Sequence, residues 1–149
     1  MSRYEMVSEG YLEAFNRHDV DAAAAFYADD CVVEDPYYPE PLRGRAAVRK
    51  DMVTFIRAFP DIRLDSIQRF EKGDLASEEV RMTGNNTGPL DSPMGEIPPT
   101  GKRFDAKGVV VVRLNDQGLI AEERRYYDTN TLLRQLELIP EPAAAGTAR

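Results

Sequence analysis

Residues 119–136 read LIAEERRYYDTNTLLRQL, a strand running directly into a helix, and the arrangement of the chain follows from how these two halves are used. In an extended segment side chains alternate, which puts Ile120, Glu122, Arg124, Tyr126 and Asp128 on one face and Leu119, Ala121, Glu123, Arg125 and Tyr127 on the other. Neither face is purely apolar. A half-buried strand ordinarily has one apolar and one polar face, so the mixture predicts a strand between a pocket and a partner or solvent, with Arg124, Tyr126 and Asp128 on the pocket side. Beyond it, Leu132, Leu133 and Leu136 give the helix an inward edge, Thr129 can cap it, and residues 140–149 read as a flexible tail.

Working back from that strand, residues 103–114 include the run Val109 to Val112 and end at the turn Asn115-Asp116-Gln117-Gly118, as a strand does. Residues 88–101 hold four prolines and three glycines in fourteen positions and read as a loop. A long strand is predicted over 75–86, with Arg81, Thr83 and Asn85 on one face, joined by the turn Lys72-Gly73-Asp74 to a strand that begins near Asp61. Ile62 and Leu64 share a face that Ile67 does not keep, which predicts a bulge near Asp65-Ser66.

The first half of the chain has the helical period instead. Tyr4, Val7, Tyr11, Leu12 and Phe15 form the stripe of a helix over about 3–16, and Val48, Met52, Phe55, Ile56 and Phe59 that of another, stopped by Pro60. Between them come the turn Asn16-Arg17-His18-Asp19, a short Ala-rich helix through Tyr27 and a short strand at Val32-Val33. The loop Asp35-Pro36-Tyr37-Tyr38-Pro39-Glu40-Pro41 is stiffened by its prolines. Early helices followed by a run of strands give an α+β class, a curved antiparallel sheet wrapped around the N-terminal helices as one domain over 1–139. Tyr11, Phe15, Tyr27, Phe55 and Phe59 either line the inside of that curve or simply fill it.

Composition sets limits on function. The 149 residues carry a net charge of −7, which argues against a grip on nucleic-acid phosphates or anionic lipid, and no segment has the roughly 20 apolar residues of a membrane helix. One cysteine and one histidine leave no disulfide framework, no thiolate metal cage and no histidine-based triad, and fit a cytoplasmic protein. Chemistry therefore rests on carboxylates, arginines, tyrosines and pocket shape.

The segments FNRHDVDAAAAFYADDCVVEDP, GRAAVRKDMVTFIRAFPD, PPTGKRF and RLNDQGLIAEERRYYDTNTLLRQLEL occur in the order of, and together resemble, the SnoaL-like polyketide cyclase branch of the NTF2-like superfamily, over about residues 3–138. The resemblance implies a cone-shaped α+β barrel, commonly a homodimer through the sheet, and a small, largely apolar, polyketide-like carbonyl ligand turned over without metal or cofactor. It also implies an acid/base aspartate at the strand end, here Asp128. The candidate donors to a developing oxyanion are then Arg124 and Tyr126, which share its face, and Arg81, which could reach inward from its own strand. Asp35, Tyr38 and Glu122 join Tyr11, Phe15, Tyr27, Phe55 and Phe59 as expected pocket residues. The chain departs from the cyclase pattern in having no histidine on a strand. A second branch, resembling limonene epoxide hydrolase, uses an Asp-Arg-Asp site; Arg81 and Asp128 match two of its positions and Thr83 stands at the third. A purely structural role for Asp128, at the N-terminus of the last helix, would lower its pKa and oppose service as a base.

Overall fold

A computed structural model describes residues 1–140, so the tail expected over 140–149 lies, beyond Pro140, outside the described residues. The first helix, α1 (Arg3–Asn16), starts at Ser2, whose Oγ accepts the Glu5 N–H at 3.0 Å, and it buries Tyr4, Val7, Ser8 and Phe15. Its C-terminal end is tied to the sheet by Asn16, which exchanges hydrogen bonds with the N–H and C=O of Leu64. His18 follows in the left-handed region, at φ 61°, as a turn residue. The next helix, α2 (Val20–Ala24), is capped by Asp19 and stops before Tyr27. Tyr27 instead begins β1 (Tyr27–Glu34), a longer strand than the Val32-Val33 pair suggested, because the exposed Asp29 and Asp30 interrupt its apolar signal.

After β2 (Leu42–Arg43) and α3 (Arg45–Ala58) come β3 (Arg63–Lys72) and β4 (Leu75–Asn85). The proline-rich stretch carries its own small hairpin, β5 (Leu90–Ser92) and β6 (Gly95–Ile97). Asn86, almost fully buried, holds that stretch to the body by donating to the carbonyls of Ala58 and Gly88 and accepting from Thr100. The chain then runs through β7 (Arg103–Leu114), β8 (Ile120–Tyr126) and α4 (Thr129–Gln135).

Six strands form one curved sheet in the order β2-β1-β8-β7-β4-β3. All neighbours are antiparallel except β1 and β8, and the two ends of the sheet do not join, so the expected cone is an open one. The bulge in β3 lies between Ser66 and Gln68. A second irregularity decides the site: Arg113 of β7 faces Glu122, yet the next residue, Leu114, faces Ile120. Ala121 is therefore an extra residue in β8, and such an insertion turns the following side chains to the opposite face. Ile120 points inward as expected, but beyond the bulge it is Glu123, Arg125 and Tyr127 that follow it, while Glu122, Arg124 and Tyr126 are turned away.

The core lies in the concave side of the sheet, under α1 and α3. Tyr27, Phe59, Phe104, Met52 and Ile62 are its largest fully buried side chains, each contributing roughly 1.5–3 kcal/mol by leaving water. Phe59 stacks on Phe55 and meets Phe104 edge-on, with centroids 6.3 and 4.7 Å apart. Among the described residues no helix is long and apolar enough to cross a membrane.

Candidate active site

Three elements converge on one guanidinium. Arg125, on the inward face of β8, donates from Nη1 to Asp35 Oδ2 at 3.0 Å and Asp51 Oδ2 at 2.8 Å, and from Nε to Glu123 Oε2 at 2.5 Å. Asp35 comes from the loop after β1, Asp51 from α3 and Glu123 from β8 itself. All three carboxylates are buried, and each also accepts a phenolic hydrogen: Asp35 from Tyr127 at 2.7 Å, Asp51 from Tyr38 at 2.6 Å and Glu123 from Tyr27 at 2.7 Å. The Tyr37 N–H completes Asp35 at 2.8 Å. Three buried carboxylates around one cation leave a local excess of negative charge.

The titration of these groups follows from burial. Burial pushes the Asp51 carboxyl up, against the charge of Arg125 and the hydrogen bonds from Tyr38 and Arg125. Burial also works against the Arg125 charge, but Glu123 and Asp51 more than reverse this and hold the guanidinium well above its ordinary value. Tyr27, Tyr38 and Tyr127 are raised by burial and then by the carboxylates they serve, so they remain protonated donors. Tyr37 is pushed up to about 12 by burial and the nearby aspartates. The Arg125 Nη2 makes no hydrogen bond among the described residues, and no buried side-chain nitrogen or oxygen there is sealed without a partner, so this donor is open.

The cluster stands between two spaces. Inside is a cavity of about 150 Å³, walled by apolar side chains such as Leu12, Phe15, Met82 and Val110 and edged by Asp35, Asp51, Glu123, Arg125 and Tyr127. That volume is about what a benzene-sized guest needs. Outside is a depression of about 670 Å³ between the proline loop (Pro36, Pro39, Pro41) and the end of β8, which shares Asp35, Arg125 and Tyr127 with the inner cavity. Among the described residues no group of three or more His, Cys, Asp or Glu is arranged to hold a metal ion.

The residues expected at the site separate accordingly. Tyr11, Phe15, Asp35 and Phe55 line the inner cavity, whereas Tyr27 and Phe59 lie in the core, Tyr27 serving the cluster through Glu123. Tyr38 lines the outer depression together with Arg124, Tyr126 and Asp128. Tyr126 also borders the inner cavity but is 57% exposed. Asp128 is the N-cap of α4: its Oδ1 accepts the Asn130 N–H and its Oδ2 the Thr131 hydroxyl, both at 2.9 Å. The Thr131 bond, foremost, and the backbone N–H groups hold its carboxyl below the usual range. Arg81 is on the outer face of β4, paired with Asp105, and meets Asp128 only across a shallow surface hollow. Glu122 is exposed and paired with Arg113 at 3.1 Å.

Sequence reasoning passed over Asp51, Glu123, Arg125 and Tyr127. Asp51 carried a signal, since it falls between Val48 and Met52 on the buried stripe of α3, where an acid has no structural reason to be. Glu123, Arg125 and Tyr127 carried none, because EERRYY places the same three residue types on both faces and only the Ala121 bulge chooses between them.

Comparison with known proteins agrees with this architecture. A candidate polyketide cyclase of Xanthomonas campestris pv. campestris is 25% identical, with a TM-score of 0.77 over 90% of this chain and 96% of its own. IdmH of Streptomyces antibioticus, another candidate polyketide cyclase, is 27% identical, with a TM-score of 0.71 over 89% of this chain and 97% of its own. A Catenulispora acidiphila protein with a ketosteroid isomerase-like fold, solved in complex with trimethylamine, is 15% identical and matches in fold, with a TM-score of 0.73 over 90% of this chain and 97% of its own. The SnoaL-like polyketide cyclase family model matches residues 5–136, nearly the whole described chain, and the protein belongs to that family.

Proposed function

We propose that the protein is a cofactor-independent cyclase or isomerase acting on a small, largely apolar carbonyl compound. The observation that carries this reading is Arg125, bridging two buried carboxylates at the edge of an apolar cavity while its Nη2 remains open. A carbonyl oxygen accepts from Nη2, which fixes the substrate and receives the charge that develops on that oxygen. Asp51, raised by burial, is the proton acceptor: a proton leaves the carbon next to the carbonyl, and its electron pair becomes the enolate. The enolate then attacks a second carbonyl, whose oxygen takes the proton back, or is reprotonated at another carbon. The first course closes a ring and the second moves a double bond. Asp35, held by Tyr127 and the Tyr37 N–H, orients Arg125.

The test is exchange of the methyl protons of acetophenone in deuterated buffer, followed by NMR. The wild-type protein accelerates it, and Asp51→Asn and Arg125→Lys each remove a factor of about 100 or more. Exchange at the buffer rate with wild-type protein overturns the reading.

One observation favours a second chemistry. Asp35, Arg125 and Asp51 compose a carboxylate–guanidinium–carboxylate array, the kind of site sequence reasoning associated with epoxide hydrolysis, built from other positions than Arg81 and Asp128. Diol formation from cyclohexene oxide, abolished by Asp51→Asn, distinguishes it from enolate chemistry. A non-catalytic binding module would bind such compounds and turn over neither. We also infer a cytoplasmic homodimer that joins through the outer face of the sheet, where the cross-strand partners Val109 and Tyr126 are 38% and 57% exposed. Light scattering giving a monomer mass refutes the dimer.

A further inference from the structure

A second buried polar group borders the same cavity and has no part in the proton transfer. Glu78, 3% exposed, accepts from the Tyr4 hydroxyl at 2.7 Å, from the Ser8 hydroxyl at 2.8 and 2.9 Å and from Arg69 Nε at 2.9 Å. Ser8 also accepts from Arg69 Nε at 3.0 Å. Tyr4, Ser8 and Glu78 all line the cavity, and Arg69 stands behind them.

The strand register places this group relative to Arg125. Arg69 pairs with Glu78, Glu78 with Val110 and Val110 with Arg125, so the four form one row across β3, β4, β7 and β8, with the apolar Val110 between the two polar ends. Two strand spacings put the backbones of Glu78 and Arg125 about 10 Å apart. A ligand that meets both ends therefore has to reach across Val110, the apolar floor between them. The cavity volume, about that of a benzene-sized guest, sets the size of what spans them at one ring.

The two ends differ in chemistry. At Glu78 the hydroxyl protons of Tyr4 and Ser8 are engaged with the carboxylate, so what remains toward the cavity is lone pairs on two hydroxyl oxygens and a carboxylate. This end accepts hydrogen bonds. At Arg125 the open group is Nη2, which donates them. From this pairing we infer that the substrate is a one-ring carbonyl compound carrying a hydroxyl group across the ring, or such a ring at the end of a longer molecule. Its carbonyl oxygen lies on Arg125 Nη2, and its hydroxyl donates into the Tyr4–Ser8–Glu78 group. The inference rests on the carbonyl-binding role proposed for Arg125. Tying α1 to the sheet is something the Glu78 bonds also do, but that alone would move only stability and not selectivity.

Calorimetric titration with 4-hydroxyacetophenone, 4-methoxyacetophenone and acetophenone tests it on wild-type, Ser8→Ala, Glu78→Gln and Arg125→Lys proteins. Wild-type protein is expected to bind the hydroxy compound roughly tenfold more tightly than either of the others. In Ser8→Ala and Glu78→Gln that preference, read as the ratio of the two affinities in the same variant, falls within about threefold, and Ser8→Ala decides alone if Glu78→Gln does not fold. Equal affinities in the wild type, or a preference that survives both variants, overturn the inference. Acetophenone binding that is indifferent to Arg125→Lys overturns the carbonyl role of Arg125, and with it the orientation of the substrate, even where a hydroxyl preference persists. Absence of binding by all three compounds overturns both.

Discussion

Replacing Arg125 by leucine tests the electrostatics of the site most directly. The side chain is 15% exposed and its three partner carboxylates 5–7%, so water compensates little of what is lost. Breaking a buried ion pair from one side costs about 3–5 kcal/mol, because the remaining charge stays buried without its partner. For a chain of this size each kcal/mol shifts Tm by about 2–4 °C, giving a fall of roughly 6–20 °C near neutral pH. The deficit depends on pH with a definite sign. Asp51 is already raised by burial against the charge of Arg125 and rises further without it, so the folded variant binds more protons than the unfolded chain and loses stability as pH rises. Per proton taken up, the deficit shrinks by about 1.4 kcal/mol for each pH unit of acidification toward the unfolded value near 3.9. Differential scanning fluorimetry of wild-type and Arg125→Leu proteins between about pH 5.5 and pH 8 reads both the size and the slope. A deficit under about 3 °C, or one flat across that range, would falsify the description of Arg125 as the counter-ion of three buried charges.

Asp51→Asn keeps its hydrogen bonds, the amide oxygen accepting from Arg125 and the amide nitrogen donating to a turned Tyr38 hydroxyl, and removes a buried charge. Because burial raises Asp51, the carboxylate opposes folding increasingly as pH rises through its folded value, so this variant should melt higher than wild type at neutral pH, the gap closing on acidification. Asp128→Ala should leave binding in the inner cavity unchanged by calorimetry. It should lower Tm above the usual carboxylate range only, since a lowered folded pKa gives stability that is present there and lost as pH falls through the folded value. A Cβ added at Gly88 would lie 1.9 Å from the Arg57 carbonyl oxygen, and Gly88→Ala is expected to cost about 1–3 kcal/mol or more by denaturant titration, whereas an unchanged midpoint would show that the loop moves aside.

The fold was legible because its signals are redundant. The period of the α1 stripe, the Pro60 stop, the Lys72-Gly73-Asp74 turn and the valine run of β7 each suffice to set an element, and they agree. What stayed hidden are pairings that depend on distant segments: the parallel contact of β1 with β8 and the β5–β6 hairpin in the proline stretch. At the site, Asp35, Tyr11, Phe15 and Phe55 could be placed, since they follow from helix stripes and a stiff loop. The face of β8 could not, because one inserted alanine reverses the parity on which Arg124, Tyr126 and Asp128 were chosen.

Asp51, Ser8 and Glu78 share a property that the parity argument lacks: each is polar at a position whose period demands an apolar residue. Ser8 lies one turn beyond Tyr4 on the buried stripe of α1, Asp51 between Val48 and Met52 on that of α3, and Glu78 between Ala76 and Val80 on the inward face of β4. Apolar residues of similar volume at such positions are often neutral or favourable for stability, so burying a carboxylate there is not explained by folding. The three positions come from elements far apart in sequence, yet all face one cavity that also receives Arg125. Convergence of separate violations on one space is what a site produces and what scattered structural accidents do not. On the proposed reading, these buried polar groups are kept for chemistry at Arg125 Nη2 and not for the stability of the core they occupy.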